Sequence, residues 1–313
     1  MYTRLNRPVI TTNDNSTSKH KIKFGLNDWI GLGFVAPTLI GLFVFSIYPM
    51  FASFIMSFQQ TNGMSGTWNG LNNYIFILND NVFWKSVYNT LYMGVIWVTL
   101  EVCFSFILAS MINNVAWGKS FFKSVFFLPN IISTVAVTIL FSFLLYPTEQ
   151  GLINYVLKIF NIGPIGWFTN PRYSKISIVI MNIWGSVGYD SIIFLAGLQN
   201  VPKELYEAAE IDGASGLRKW WSITIPYLKP IFTFIIVIGT IGSMKRFSDV
   251  WLMGGTAGNP NGSLLTVVVY IYRNAFMASQ VGLASAAAYV LFAFILILSI
   301  VNLKVFNKDD SSE

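Results

Sequence analysis

Long uncharged apolar stretches constrain this chain more than any other feature. Residues 29–79 contain no charged side chain, and residues 274–303 form a second uncharged run. A helix that crosses about 30 Å of hydrocarbon needs about 20 mostly apolar residues. Such windows occur six times, at residues 30–58, 86–112, 121–145, 176–198, 227–243 and 282–305. The polar, glycine-rich stretch from Gln59 to Asn73 after the first window is predicted to be a loop. The sequence therefore predicts an all-α membrane protein with six transmembrane helices.

Composition argues against a soluble enzyme. Hydrophobic residues make up 54% of the 313 residues and charged residues only 11%, whereas soluble domains carry roughly 25% charged residues. The chain has one histidine, His20, and one cysteine, Cys103. Histidine-based triads, His/Cys zinc sites and internal disulfides all need more of these residues. We therefore expect no catalytic residue, metal or cofactor on this chain.

The distribution of basic residues predicts the orientation in the membrane. Six spans place both termini on one side, and the segments on that side hold 13 of the 20 Lys and Arg residues, against seven on the other. Basic residues concentrate in cytoplasmic loops. We therefore predict cytoplasmic termini, with a polar, largely disordered tail at 1–28, a six-span membrane domain at 29–305 and a tail at 306–313. The net charge of +6 reflects this bias and does not indicate nucleic acid binding.

The loop between the fourth and fifth windows, residues 199–229, is unlike the others. It holds four of the 14 acids. Pro202 suits a first helical position and Gly213 a helix stop, so a short helix is predicted from Pro202 to about Ile211. Its two faces carry different residues: Leu205, Ala208, Ala209 and Asp212 on one, Glu204, Glu207 and Glu210 on the other. This pattern favours docking into a groove of a soluble partner, and the glutamates disfavour the alternative, a helix lying on anionic lipid.

This loop closely resembles the EAA loop of ABC importer permeases. Glu207-Ala208-Ala209 is followed after three residues by Gly213 and after nine more by Ile223-Thr-Ile-Pro226. The family pattern is EAA, three residues, Gly, nine residues and I-x-L-P, so the single departure is Ile225 in place of leucine. Residues 199–229 are therefore termed the coupling loop, and their short helix the coupling helix.

Further motifs resemble the MalF-type subunit of the carbohydrate-uptake branch, over residues 30–305. They include Tyr48-Pro49, Trp68-Asn-Gly-Leu-Asn-Asn-Tyr74, Phe126-Phe-Leu-Pro129 and Phe194-Leu-Ala-Gly-Leu-Gln-Asn-Val-Pro202. The usual external Leu-Thr-Gly-Gly-Gly-Pro is degenerate here, as Leu252-Met-Gly-Gly-Thr-Ala-Gly-Asn-Pro260.

The resemblance implies a bacterial cytoplasmic-membrane complex that imports sugars, with oligosaccharides as the family expectation. Its partners would be a second, different permease, two cytoplasmic ATPases that bind ATP and Mg, and an extracytoplasmic solute-binding protein. The coupling helix of such proteins seats in a cleft of the ATPase, and Leu205, Glu207, Ala208, Ala209, Gly213 and Pro226 match that joint. The only Gly-Lys-Ser in this chain, residues 118–120, has Asn113 where a phosphate loop needs its first glycine, so ATP must bind elsewhere.

Acids inside the predicted spans are candidate functional residues. Placing one in the bilayer core costs about 2.5–3.5 kcal/mol on insertion scales, so Glu101 and Asp190 should face protein or a wet cavity. We predict that Asp190 borders the substrate pathway, with Asn182, Trp184 and Tyr189 nearby. Asp249 is assigned to the same pathway, whereas Glu101 is interpreted as structural. Lys245 and Arg246 either line the outer mouth or snorkel.

Two other classes of function stay open at this point. One is a secondary transporter or channel that works without ATPase subunits, and it would move substrate as an isolated chain. The other is an intramembrane enzyme, which would need Glu101 and Asp190 to act as a pair.

Overall fold

The computed structural model describes residues 26–307, so most of both predicted tails lies outside the described residues. The described chain is dominated by helices, with one short β-hairpin. Helix α1 (Leu26–Leu42) continues through a π-helical segment, Phe43–Ile47, into α2 (Tyr48–Ser57). The hairpin strands are β1 (Gln59–Thr61) and β2 (Gly66–Trp68).

The remaining helices complete the chain to residue 307. They are α3 (Asn72–Asn79), α4 (Asn81–Asn114), α5 (Lys119–Ile131), α6 (Thr134–Leu144), α7 (Leu152–Ile159), α8 (Pro171–Gln199), α9 (Lys203–Ile211), α10 (Gly216–Lys219), α11 (Ile225–Tyr227), α12 (Lys229–Met244), α13 (Ser248–Gly254), α14 (Val267–Tyr272) and α15 (Val281–Asn307). Two further π-helical segments are Trp220–Thr224 and Arg273–Met277. The structure divides into two units, one ending at Phe51 and one beginning at Ala52.

Five helical segments are long and apolar enough to cross a membrane. These are Ile30–Ser57, Asn81–Asn114, Pro171–Gln199, Lys229–Gly254 and Val281–Val305. The third predicted window is the pair α5 and α6, bent by 96° at a short break. Counting that pair as one span gives the six predicted crossings.

The third window is therefore not one straight helix, and Ser133 explains why. Its hydroxyl accepts a hydrogen bond from the Ala136 N–H and caps α6, while Ile132 before it is extended. A serine with extended backbone begins a new helix because it satisfies an otherwise unpaired N–H. Hydropathy registers only the apolar character of residues 121–145 and misses this cap.

The polar stretch after the first span is also more structured than the loop expected from its composition. β1 and β2 pair antiparallel, with Gln59 opposite Trp68. The Asn73 side chain, from α3, donates to the carbonyls of Ser57 and Gln59 at 2.9 Å each. These bonds fix the hairpin against α3.

Packing within the second unit centres on α4 and α8. Their interface is close, and α8 also packs tightly on α5 at Gly188, where any added Cβ would meet the Phe126 carbonyl oxygen. Small residues allow such backbone approach between membrane helices. A cluster of buried apolar residues, among them Phe106, Phe194 and Leu228, fills the space between α4, α8 and α12 next to the coupling loop.

Candidate functional site

The coupling helix is α9, and its end is defined by a glycine. Gly213 adopts a left-handed conformation with φ of +71°. The Gly213 N–H donates to the Glu210 carbonyl at 3.0 Å and the Ala214 N–H to the Ala209 carbonyl at 2.8 Å. This pair of bonds is the Schellman arrangement, which favours glycine at the left-handed position. Pro202 is the N-cap residue, so the helix begins at Lys203, one residue later than predicted.

Two contacts hold the coupling helix against the later part of the coupling loop, and a third packs that part of the loop on α4. The Tyr206 and Thr224 hydroxyls hydrogen-bond at 2.8 Å, and Lys219 pairs with Glu210 at 2.7 Å. Trp220 then enters the apolar cluster, with its ring centroid 4.8 Å from that of Phe106. The coupling helix is thus connected to α4 through residues 219–224 of the coupling loop.

The outer face of the coupling helix is free for docking within the described chain. Glu207 and Ala208 are exposed and Ala209 is half-buried. Two large apolar side chains beside them are exposed as well, Leu205 at 44% and Ile211 at 88%. Pro226 lies further along, in α11, where the coupling loop joins α12. Exposed apolar residues with an acidic rim are suited to a groove on another protein.

The predicted pathway residues fall in three places rather than one. In the first, the Asn182 amide donates to an Asp249 carboxylate oxygen at 2.7 Å. The same oxygen accepts from Arg246 at 2.7 Å, and both charged side chains are almost fully buried. The Arg246 guanidinium also lies over the Trp97 ring, 5.2 Å from its centroid. Asn182 and Asp249 thus belong to one polar cluster that links α8, α13 and α4.

Arg246, which was predicted to line the outer mouth or to snorkel, is buried in this cluster, and Trp97 is a member that the sequence did not single out. Arg246 Nε and Trp97 Nε1 are buried without a hydrogen-bond partner in the described part of the chain. Arg246 and Asp249 are three residues apart in the sequence, with Arg246 just before α13 and Asp249 in its first turn, so their pairing is local in the chain. Trp97 gives no comparable signal in the sequence.

Asp190 lies in the second place, beside Glu101 at the α4–α8 interface. Glu101 is only 2% exposed, and Ser105 Oγ donates to its Oε1 at 3.5 Å. The Asp190 carboxyl and the Ser186 hydroxyl interact with Glu101 across the interface. Asp190 is therefore separated from the Asn182–Asp249 cluster and pairs with the acid that was interpreted as structural.

The two aromatic candidates lie in the third place, on the outside of the second unit. Trp184 is 37% exposed, with its ring 5.6 Å from Phe141. Tyr189 is 47% exposed, with its ring 6.3 Å from Phe127. In the described chain, both rings are thus available to a ligand or to a partner subunit.

Comparisons with known proteins identify the protein family to which the chain belongs. Residues 101–307 match the family described as the binding-protein-dependent transport system inner membrane component. The chain belongs to this family, and it is a multi-pass permease subunit of the cytoplasmic membrane.

Individual relatives extend the match over nearly the whole chain. It is similar to the lactose transport system permease protein LacF of Rhizobium radiobacter, 35% identical over 91% of this chain and 96% of the relative. It is also similar to the trehalose/maltose transport system permease protein MalF of Thermococcus litoralis, 30% identical over 93% and 97%.

A solved structure has the same fold. A bacterial ABC transporter involved in the import of the acidic polysaccharide alginate aligns with a TM-score of 0.77 at 24% identity, covering 92% of this chain and 97% of that one.

Proposed function

We propose that this chain forms half of the translocation pathway of an ATP-driven sugar importer. We also propose that the conformational change of the ATPase subunits reaches the chain through α9. The expected partners are a second, different permease, two cytoplasmic ATPase subunits that bind ATP and Mg, and an extracytoplasmic solute-binding protein. Sugar is the substrate class because the relatives named above are lactose and trehalose/maltose permeases. A further relative is an arabinooligosaccharide permease of Bacillus subtilis, 33% identical over 87% of each chain.

The observation that carries the proposal is the combination of an exposed docking face with a rigid attachment. Leu205, Glu207 and Ala208 face away from the described chain, while Trp220 is packed against Phe106 of α4. A segment that transmits a conformational change between two subunits must be accessible to one subunit and firmly packed on the other. The coupling helix meets both requirements, which supports its assignment as the ATPase joint.

We assign the substrate pathway to the residues predicted from sequence, with Arg246 and Trp97 as additions. Asn182, Asp190, Asp249, Trp184 and Tyr189 supply the amide, carboxylate and aromatic groups that bind sugar hydroxyls and ring faces. The unpaired donors of Arg246 and Trp97 beside Asp249 support a polar ligand in the same region.

The test is sugar uptake by cells that carry the assembled complex. Glu207→Lys reverses a charge on the docking face, and Gly213→Pro removes the N–H that closes the helix end. Each should abolish uptake and copurification of the ATPase while the chain stays in the membrane. Glu149→Lys is the matched control, because it makes the same charge reversal at an exposed residue outside the coupling loop.

Two results would contradict the proposal. Normal uptake by Glu207→Lys and Gly213→Pro would remove the coupling helix from the mechanism. Sugar transport by the purified chain alone in liposomes, without an ATPase, would favour a secondary transporter or channel.

A further inference from the structure

A cavity of about 490 Å³ lies far from the coupling loop along α4. It is lined by the β1–β2 hairpin, by α3 and by the residues that lead into α15. Only Asp80 separates α3 from the first residue of α4. At the other end of α4, Asn113 and Asn114 in its last turn line a different cavity together with Tyr206 of the coupling helix. The 34 residues of α4 span about 51 Å at 1.5 Å per residue. The hairpin cavity and the coupling helix therefore lie at opposite ends of a membrane-crossing helix.

The lining of this hairpin cavity is unusual for so apolar a chain. Six of its ten lining residues are Asn or Gln, two more carry hydroxyls, and none is charged. The two apolar members are Leu283, which is buried, and Phe76, whose side chain is 57% exposed. The volume falls in the range of about 300–1,000 Å³ that is usual for small-molecule sites.

Hydrogen bonds divide the amides into a fixed group and a free group. Asn62 belongs to the fixed group, because its Oδ1 accepts from the Met64 and Ser65 N–H groups. Asn73 is held by its bonds to Ser57 and Gln59, Asn69 donates to Asn73 at 3.5 Å, and Asn72 donates to Asn69 at 3.0 Å. The side-chain amides of Gln60 and Gln280 make no hydrogen bond to the described part of the chain, and both residues are exposed. The cavity thus has a pre-organised amide floor and two free amides at its rim.

This set of groups selects for a neutral, polyhydroxyl ligand. Each amide offers two donors and an acceptor oxygen, which matches hydroxyl groups that both donate and accept. An anion would find no cationic side chain in the lining, and an apolar ligand would cover amides that it cannot hydrogen-bond, at a cost of about 1–3 kcal/mol for each amide left without a partner. The exposed ring of Phe76 provides an apolar surface for the C–H face of a sugar ring.

We propose that the hairpin cavity is a binding site for an uncharged sugar on the outer side of the membrane. The outer location rests on the proposed function, which places the coupling helix in the cytoplasm. A sugar held here would be retained near the membrane after its release from the solute-binding protein. The free amides of Gln60 and Gln280 supply the adjustable contacts, and the Asn69–Asn72–Asn73 chain keeps the floor in place.

The test measures sugar binding to the purified complex in nanodiscs, without the solute-binding protein, by titration calorimetry. The probes are lactose, maltotriose and arabinotriose as neutral sugars and trimannuronate as an acidic one. At least one neutral sugar should bind, and trimannuronate should bind at least tenfold more weakly. The double variant Gln60→Glu, Gln280→Glu keeps the side-chain shape but removes the amide donors, so it should raise the Kd of the neutral sugar at least tenfold.

The test has two controls. One is the variant Gln150→Glu, and the other is sugar-free binding protein, which is added as a second ligand. Gln150 is exposed between α6 and α7, outside the cavity lining, so Gln150→Glu should leave the Kd unchanged. The proposal is overturned if none of the neutral sugars binds or if the double variant binds them normally. It is also overturned if the double variant loses only the association with sugar-free binding protein, since the cavity would then be a protein-docking surface.

The outcome is independent of the test of the coupling helix. Gly213→Pro should abolish uptake yet retain sugar binding at the hairpin cavity. Normal binding by the double variant combined with loss of uptake in Gly213→Pro would reject this inference alone. Normal uptake by Gly213→Pro would reject the proposed function whatever the binding data.

Discussion

Arg246 and Asp249 carry opposite charges within the segment Lys229–Gly254, and their side chains are only 7% and 4% exposed. A buried ion pair is marginal as a source of stability, but removing one partner leaves the other charge buried without compensation. Asp249→Asn should therefore lower the free energy of unfolding of the purified complex by about 3–5 kcal/mol.

The exposed pair Lys158–Glu149 provides the control for this prediction. Its nitrogen-to-oxygen distance of 2.6 Å is close to the 2.7 Å of the buried pair, but its side chains are 59% and 55% exposed. The contact with Glu149 raises the pKa of Lys158, but water screens that interaction. Glu149→Gln should leave the free energy of unfolding of the purified complex essentially unchanged. Equal losses for Glu149→Gln and Asp249→Asn would contradict the role of burial.

Gly188 and Gly185 test the tight packing of α5 on α8. A Cβ at Gly188 would meet the Phe126 carbonyl oxygen, whereas a Cβ at Gly185 would meet nothing within 4 Å. Gly188→Ala should force the two helices apart and lower the unfolding free energy of the purified complex by about 1–3 kcal/mol. Gly185→Ala, on the same helix, should be neutral or slightly stabilising, so a matching loss at Gly185 would refute the packing argument.

Single residues were predictable as candidates from the sequence, but their partners were not. Glu101, Asp190, Asn182 and Asp249 stand out because polar groups are costly in a membrane. The sequence grouped Asn182 with Asp190, whereas its amide bonds Asp249, 67 residues further along the chain. Such pairings depend on the rotation and depth of packed helices, which hydropathy does not encode.

At the scale of elements, two adjacent tryptophans allow the packing of the coupling loop on the membrane domain to be tested separately from its exposed surface. These are Trp220 and Trp221. Trp220 packs in the apolar cluster against Phe106, whereas Trp221 is 69% exposed. Trp220→Ala should destabilise the purified complex by about 3 kcal/mol, at the lower end of the range for truncating a packed tryptophan. Trp221→Ala should leave thermal unfolding unchanged, and a larger loss at Trp221 would contradict the attachment.

Gly213 and Gly216 test the end of the coupling helix. Neither has a neighbour within 4 Å of an added Cβ, but only Gly213 has a positive φ. Gly213→Ala should strain the left-handed residue by about 1–2 kcal/mol and displace the helix end, which lowers sugar-stimulated ATP hydrolysis by the complex. Gly216→Ala should leave that rate unchanged. Equal rates for both variants would mean that the backbone at Gly213 does not set the docking geometry.

The coupling helix was predictable to within one residue because proline and glycine mark its ends, and these signals are local. The break in the third span was not predicted, although Ser133 supplies a local cap, because the search used apolar length alone. The hairpin after the first span was interpreted as a loop for a similar reason. The hairpin is fixed by Asn73 of α3, whose amide donates to the carbonyls of Ser57 and Gln59, and such a contact leaves no periodic pattern in the sequence.

At the scale of the whole molecule, six crossings follow from apolar length, but the two sides of the membrane follow only from the bias of Lys and Arg. The coupling helix and the hairpin cavity should therefore face opposite compartments. Cys103 is the single cysteine, so Cys103→Ala provides a background in which one added cysteine reports one position.

Leu217 and Gln150 are suitable positions because both are exposed, one in the coupling loop and one in the loop between α6 and α7. A membrane-impermeant maleimide should label Gln150→Cys in intact cells but not Leu217→Cys, and both should react after denaturation in SDS. The Cys103→Ala background should stay unlabelled throughout. Labelling of Leu217→Cys in intact cells would place the coupling helix outside, where no ATPase could reach it, and would reverse the assignment of the hairpin cavity as well.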